Sequence, residues 1–127
     1  MVENGHILII DHREICDLVE EYLSGEGYRV STAQNVAEMR KVMAQIPVDL
    51  VILDLVLPSG EDGLTLARSL RQESPNVGII TLTGRVGHTS IGFEMGANWS
   101  LPKPFHLREL LAGVNRVLGR TSTPHAR

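Results

Sequence analysis

A chain of 127 residues, 43% hydrophobic and only 4% aromatic, has the length for one domain with its own core, and its single cysteine, Cys16, excludes an internal disulfide framework. The net charge of −3 and the dispersal of 12 Lys and Arg along the chain leave no basic patch, so direct nucleic-acid binding by this domain is not expected. No apolar run approaches bilayer length and no charged-then-apolar leader opens the chain, so no membrane association is expected and the expected compartment is the reducing cytoplasm.

Residues 6 to 10, His-Ile-Leu-Ile-Ile, form an apolar run ended by Asp11, which reads as a buried strand. Ile15, Leu18, Val19, Tyr22 and Leu23 then recur at helical spacing, with Gly25 and Gly27 marking the stop. Cys16 falls in this helix as a small apolar core residue. Tyr28 to Thr32 is a short strand, Asn35 an N-cap, and Val36, Met39, Val42, Met43 and Ile46 the next helical stripe before Pro47, with both methionines in the core. Val48 to Leu57, halted by Pro58, is rich in Val, Leu and Ile and reads as a strand buried on both faces, with Asp54 at its carboxyl end. A turn from Pro58 to Gly63 leads into a helix carrying Leu64, Ala67 and Leu70, closed by Pro75-Asn76. Val77 to Leu82 is a fourth strand ending at Thr83-Gly84, followed by a short helix from Gly87 to Met95, a stop at Gly96, and a brief strand over 99 to 101. Leu107, Leu110, Leu111, Val114, Val117 and Leu118 give the last helix the strongest stripe. His6, His88, His106 and His125 show no metal-cluster spacing and are expected at the surface or in caps.

Five strand–helix units with short connections predict an α/β fold: a doubly wound, five-stranded parallel sheet with five helices, flavodoxin-like, with strand order 2-1-3-4-5. The domain is expected to span 1–119, with 120–127 a flexible tail or the start of a linker. Ligands of such sheets bind beyond the carboxyl ends of the strands, where the winding reverses. Asp11, Asp54, Thr83 and Lys103 all fall at that edge. Two close carboxylates raise each other's pKa and repel, which a hard divalent cation such as Mg²⁺ relieves; Asp54 is then the natural nucleophile for a phosphoryl group, with Thr83 and Lys103 binding its oxygens. From the residues alone, a structural ion pair of Asp54 with Lys103 is as good a reading, and Thr83 as a turn cap is another.

The order Ile-Leu-Ile-Ile-Asp11, Asp49-Leu-Val-Ile-Leu-Asp54-Leu-Val-Leu-Pro58, Asp62-Gly63-Leu64, Ile-Ile-Thr-Leu-Thr83-Gly84, Gly96-Ala97 and Lys103-Pro104-Phe105 resembles the receiver domain of two-component response regulators, from about His6 to Leu118. That resemblance implies a phosphorylation-dependent switch with Asp54 as phosphoacceptor and Asp11 as one of the acids near Mg²⁺. It makes Val56 the donor of a backbone carbonyl to the metal, Thr83 the switch hydroxyl and Lys103 the phosphate-binding lysine. It further implies a sensor histidine kinase or phosphotransfer protein as donor, and an output surface of fourth helix, fifth strand and fifth helix. Such a domain is no conventional enzyme; it catalyses its own aspartyl phosphorylation and dephosphorylation, here expected to be slow because Val56 and Arg85 stand where the family places the hydrolytic water and Val56 has no polar side-chain atom.

The departures from the family pattern are specific. His12 replaces the second of two adjacent acids, and imidazole is a poor Mg²⁺ ligand, so the resemblance leaves three readings: weakened Mg²⁺ affinity, preference for a softer ion or Mn²⁺, or a side chain in solvent. The loop after Pro58 is one residue longer than usual, and the segment from Arg85 to Gly92 is shorter. Ser100 stands at the switch aromatic position with Trp99 beside it, so Trp99 is either a substitute switch or an anchor at an edge strand. Homodimerisation through the last helices is one expected output, although Asn98 and Gly113 lie where the DNA-binding subfamily commonly places charges. Loss of phosphorylation through His12 would instead make a pseudo-receiver, a phosphorylation-independent interaction module. A flavodoxin-type enzyme fits the topology but not the loop Asp11-His12-Arg13-Glu14, which lacks a hydroxyl- and Gly-rich phosphate cradle.

Overall fold

Strands buried on both faces are dominated by apolar residues, and the computed structural model, which describes residues 5–84 and 95–119, builds its sheet centre from such runs. These are β1 (His6–Ile10), β3 (Leu50–Asp54) and β4 (Gly78–Thr83), every residue of which is buried. The edges are β2 (Arg29–Ala33) and β5 (Trp99–Pro102), which are partly exposed. All pairs are parallel and the order is β2-β1-β3-β4-β5, as expected. The winding therefore reverses between β1 and β3, at the carboxyl ends of which lie Asp11 and Asp54.

Alternation along the strands divides the core into two layers. Ile7, Ile9, Leu50, Ile52, Ile80, Leu82 and Leu101 pack against α1 (Arg13–Gly25) and the C-terminal helix (Leu107–Val117), through Val19, Leu23, Leu110 and Val114. Leu8, Ile10, Val51, Leu53 and Ile79 face α2 (Val36–Gln45) and α3 (Gly63–Glu73), through Met39, Leu66, Ala67 and Leu70. Asn35 caps α2 as expected, its Oδ1 accepting the Glu38 N–H at 2.8 Å. Asp62 caps α3 through the Leu64 N–H. Tyr28 falls outside β2 because its N–H closes α1 on the Leu23 carbonyl, while its hydroxyl donates to buried Asn115 on the C-terminal helix.

His6 is not at the surface, contrary to expectation. It is 4% exposed, with Nδ1 2.8 Å from the Pro47 carbonyl and Nε2 2.7 Å from Ser31 Oγ, a buried imidazole satisfied on both nitrogens. His106 is exposed at the N-cap of the C-terminal helix, where its N–H donates to Glu109 Oε1. Among the described residues no helix is long and apolar enough to cross a membrane. The helix expected over 87–95 lies outside the described residues except for Met95; so do Arg85, His88 and the 120–127 segment with His125.

Candidate functional site

At the end of β1 the chain leaves the sheet with Asp11 wholly buried, its Oδ1 accepting the His12 N–H at 2.6 Å. At the end of β3, Asp54 is held in the same way: Oδ1 accepts the Val56 N–H at 3.1 Å, while the side chain keeps 8% exposure. That small opening decides what the carboxylate can do, since a nucleophile must be reached from solvent and Asp11 is not reachable in the same way. Lys103, from the turn after β5, brings Nζ to 3.0 Å from Asp11 Oδ2 and 3.3 Å from Asp54 Oδ2. One ammonium thus bridges two carboxylates drawn from strands that are neighbours in the sheet but distant in sequence.

Burial pushes the Asp11 carboxyl above its ordinary value, with Asp54 adding to the rise, while the His12 N–H and Lys103 oppose it. Asp11 Oδ2 has no hydrogen bond, although Lys103 Nζ lies within ion-pair distance. The ammonium donates instead to Asp11 Oδ1 at 3.2 Å and to Asp54 Oδ2 at 3.3 Å, so Asp11 Oδ2 meets its charge without a hydrogen bond. That oxygen, together with the second carboxylate, fits a divalent cation better than it fits a closed structural ion pair. Ligand atoms of Asp11, His12 and Asp54 lie within 4.8 Å of one another, and His12 itself is exposed.

Thr83 ends β4 at the same edge, buried, and its carbonyl accepts the Lys103 N–H at 2.6 Å, which seats the lysine's backbone beside it. Lys103 and Pro104 are joined by a cis peptide bond. Ser100 is buried one step back on β5, its Oγ accepting the Thr81 hydroxyl at 2.8 Å on the face that alternates with Leu82 and Leu101. Trp99 is not brought to Thr83. It packs in the layer of the C-terminal helix, under the Arg116 guanidinium at 4.9 Å from the ring centroid. Gly113 is there to make room for it: a Cβ at that position would lie 2.7 Å from the indole Cδ1. The geometry thus matches the anchor reading of Trp99, and the absence of a charge at position 113 has a packing reason.

The loop after Asp54 is tied down at several points. Leu55 N–H donates to the Leu82 carbonyl and Gly63 N–H to the Leu55 carbonyl, and Val56, largely exposed, pairs with Asp62 in an isolated antiparallel bridge. Glu61 reaches across to α2, accepting the Val36 N–H at 3.0 Å and the Ser59 hydroxyl. Sequence reasoning noted the longer loop but missed this clasp. It also missed Arg71, whose guanidinium donates to the carbonyls of Pro75, Val77 and Gly96 and to Asn98 Oδ1, thereby fixing the approach to β5. A lone Arg near a helix end followed by Pro-Asn and Gly turns was the available signal, since exposed turn carbonyls need donors.

Residues 7–115 match the family model for the response regulator receiver domain. The chain is 42% identical over 118 residues to the TorCAD operon transcriptional regulatory protein TorR of Escherichia coli O157:H7, covering 91% of this chain and 50% of that protein. It is 37% identical over 123 residues to the aerobic respiration control protein ArcA of Escherichia coli K12, covering 94% and 51%. The chain thus spans about half the length of the curated relatives it matches. Among solved structures, the receiver domain of TorR superposes with a TM-score of 0.83 at 40% identity, over 91% of this chain and 97% of that one. A response regulator from Burkholderia pseudomallei, solved with a phosphorylated aspartic acid, a calcium ion and citrate, gives 0.77 at 26% identity, over 91% and 69%.

Proposed function

Because the chain belongs to the response regulator receiver family, we propose that it is a signalling switch that takes a phosphoryl group on Asp54 from a phosphohistidine of a sensor histidine kinase or phosphotransfer protein. The observation that carries this reading is the partly open Asp54 carboxylate beside a buried Asp11 and under a shared Lys103 ammonium. In the transfer an Asp54 carboxylate oxygen bonds to phosphorus as the phosphorus–nitrogen bond breaks, and the departing imidazole takes a proton from solvent. Lys103 offsets the charge gathered on the phosphoryl oxygens, and the Thr83 hydroxyl binds one of them. The Val56 N–H fixes the carboxylate's orientation. Asp11, Asp54 and the Val56 carbonyl would hold Mg²⁺, which when bound supplies charge stabilisation to the transferring group.

Phosphorylation adds charge at the carboxyl edge, draws Thr83 inward and changes the surface of the fourth helix, fifth strand and fifth helix, where a partner docks in the cytoplasm. With an apolar side chain at Val56 the phosphoform decays slowly; a half-life of seconds would overturn that. Intact mass after incubation with a small-molecule phosphoryl donor and Mg²⁺ tests the reading. One added phosphoryl group, lost in Asp54→Asn, is the expected result, and no addition with the donor or with any cognate kinase refutes it. The exposed imidazole at His12, where the family has an acid, supports a second reading as a pseudo-receiver, which predicts no addition in the parent.

A further inference from the structure

The geometry points to His12 as a ligand that turns the cation preference of the carboxylate pocket away from Mg²⁺ and toward a borderline transition ion of the cobalt or zinc class. The inference rests on the pocket being a cation site, as above, but not on phosphoryl transfer.

Two observations carry it. His12 offers a ring nitrogen to the same cluster as the Asp11 and Asp54 carboxylates, all three within 4.8 Å. Independently, Asp11 Oδ2 is buried and accepts no hydrogen bond, its ion-pair partner among the described residues being the Lys103 ammonium at 3.0 Å. Metal–ligand lengths of about 2.1 Å place neighbouring ligands of one tetrahedral ion about 3.4 Å apart. The widest pair must close by up to about 1.4 Å to reach that spacing. The two carboxylates are fixed by backbone N–H groups at 2.6 and 3.1 Å, so the adjustment falls on His12, which is exposed and can turn its ring at little cost. Its backbone is already engaged with Asp11, so the side chain moves about a fixed base.

Charge and softness give the direction. Two carboxylates against the Lys103 ammonium leave the pocket one negative charge, and His12 in its neutral form adds a ligand without adding charge. An acid at position 12 would have added a second negative charge and a hard oxygen, the combination that suits Mg²⁺. Imidazole instead suits zinc, iron, nickel and copper, and Mg²⁺ is reluctant to give up water for it. Divalent transition ions bind most nitrogen and oxygen sites more tightly than Mg²⁺ in any case, so the inference concerns the selectivity ratio that His12 sets.

The test is titration of the chain with Co²⁺ and, separately, Mg²⁺, read by calorimetry and by the visible absorption of bound cobalt, in the parent, His12→Ala and His12→Asp. His12 is exposed, so both variants should keep the parent's circular dichroism. The expected result is that His12→Ala weakens Co²⁺ binding about tenfold with little change for Mg²⁺, and that His12→Asp lowers the Co²⁺-to-Mg²⁺ affinity ratio at least about tenfold. Unchanged Co²⁺ affinity and spectrum in His12→Ala would overturn the inference, as would an unchanged ratio in His12→Asp. Phosphorylation is scored apart, by intact mass. A parent phosphorylated on Asp54 whose cobalt binding ignores His12 fails this inference alone. A parent that binds cobalt through His12 but takes no phosphoryl group fails the proposed function alone.

Discussion

Gly63→Ala tests whether the packing beneath Asp54 is as tight as its geometry implies. A Cβ at position 63 would stand 2.3 Å from the Asp54 carbonyl oxygen, 2.6 Å from Leu55 Cα and 2.8 Å from Leu55 C. All three are backbone atoms of the segment that carries Asp54, so no side-chain rotation relieves the clash. Bringing the nearest contact to 3.0 Å requires a retreat of about 0.7 Å between the first turn of α3 and the end of β3. Overpacking of this kind costs about 3 kcal/mol. Alanine's better helix propensity returns up to about 1 kcal/mol, for a net loss of about 2 kcal/mol. With the usual unfolding entropy per residue, that loss over 127 residues lowers Tm by about 7 °C. Thermal unfolding by circular dichroism measures it, and the displacement of Asp54 should slow its phosphorylation about tenfold or more. A Tm within about 2 °C of the parent, with unchanged phosphorylation, would refute the argument.

Three further outcomes follow from other sites. Asp11 has a folded-state pKa raised above 3.8 by burial, so the folded state holds the proton more tightly than the unfolded chain, and the stability tied to this group falls as pH rises from 3.8 through the raised value. Denaturant midpoints across that window should lose this downward contribution in Asp11→Asn; identical pH profiles would refute it. Tyr28→Phe leaves the buried Asn115 carbonyl oxygen without its hydroxyl donor and should cost about 1–3 kcal/mol by urea unfolding, with part of the loss recovered when Asn115→Leu is added. Cys16, buried and pushed up to about 11, should resist an aromatic disulfide reagent at pH 8 in the folded chain and react at once in denaturant; rapid stoichiometric labelling of the native protein would contradict that assignment.

Much of this was legible in the sequence because parallel strands buried on both faces are mostly apolar runs, so the acids that follow or end them stand out. The runs ending at Asp11 and Asp54 announce both strand and edge, and β1 to β5 lie within a residue or so of the expected spans apart from the longer expected run around β3. What stayed hidden depends on partners far along the chain. His6 looks like any polar residue opening a strand; its burial follows from Ser31 and the Pro47 carbonyl, which no local pattern places beside it. The side of the sheet that Trp99 takes depends on the register of β5 against β4 and on the room left at Gly113. Glu61 and Arg71 act on backbone groups of turns, and a sequence pattern marks turns without saying which side chain will reach their orphaned atoms.

Trp99 is the chain's one tryptophan, and its indole is clamped between Gly113 and Arg116 on the last helix while phosphoryl chemistry is proposed at the far edge of the sheet. Its emission is therefore a native gauge of how that helix sits on β5, needing no attached dye. A spectral shift on phosphorylation would report that the helix has tilted or slid against the strand. Constant emission beside a changed mass would confine the response to the opposite layer, leaving the Arg116 surface the same in both states.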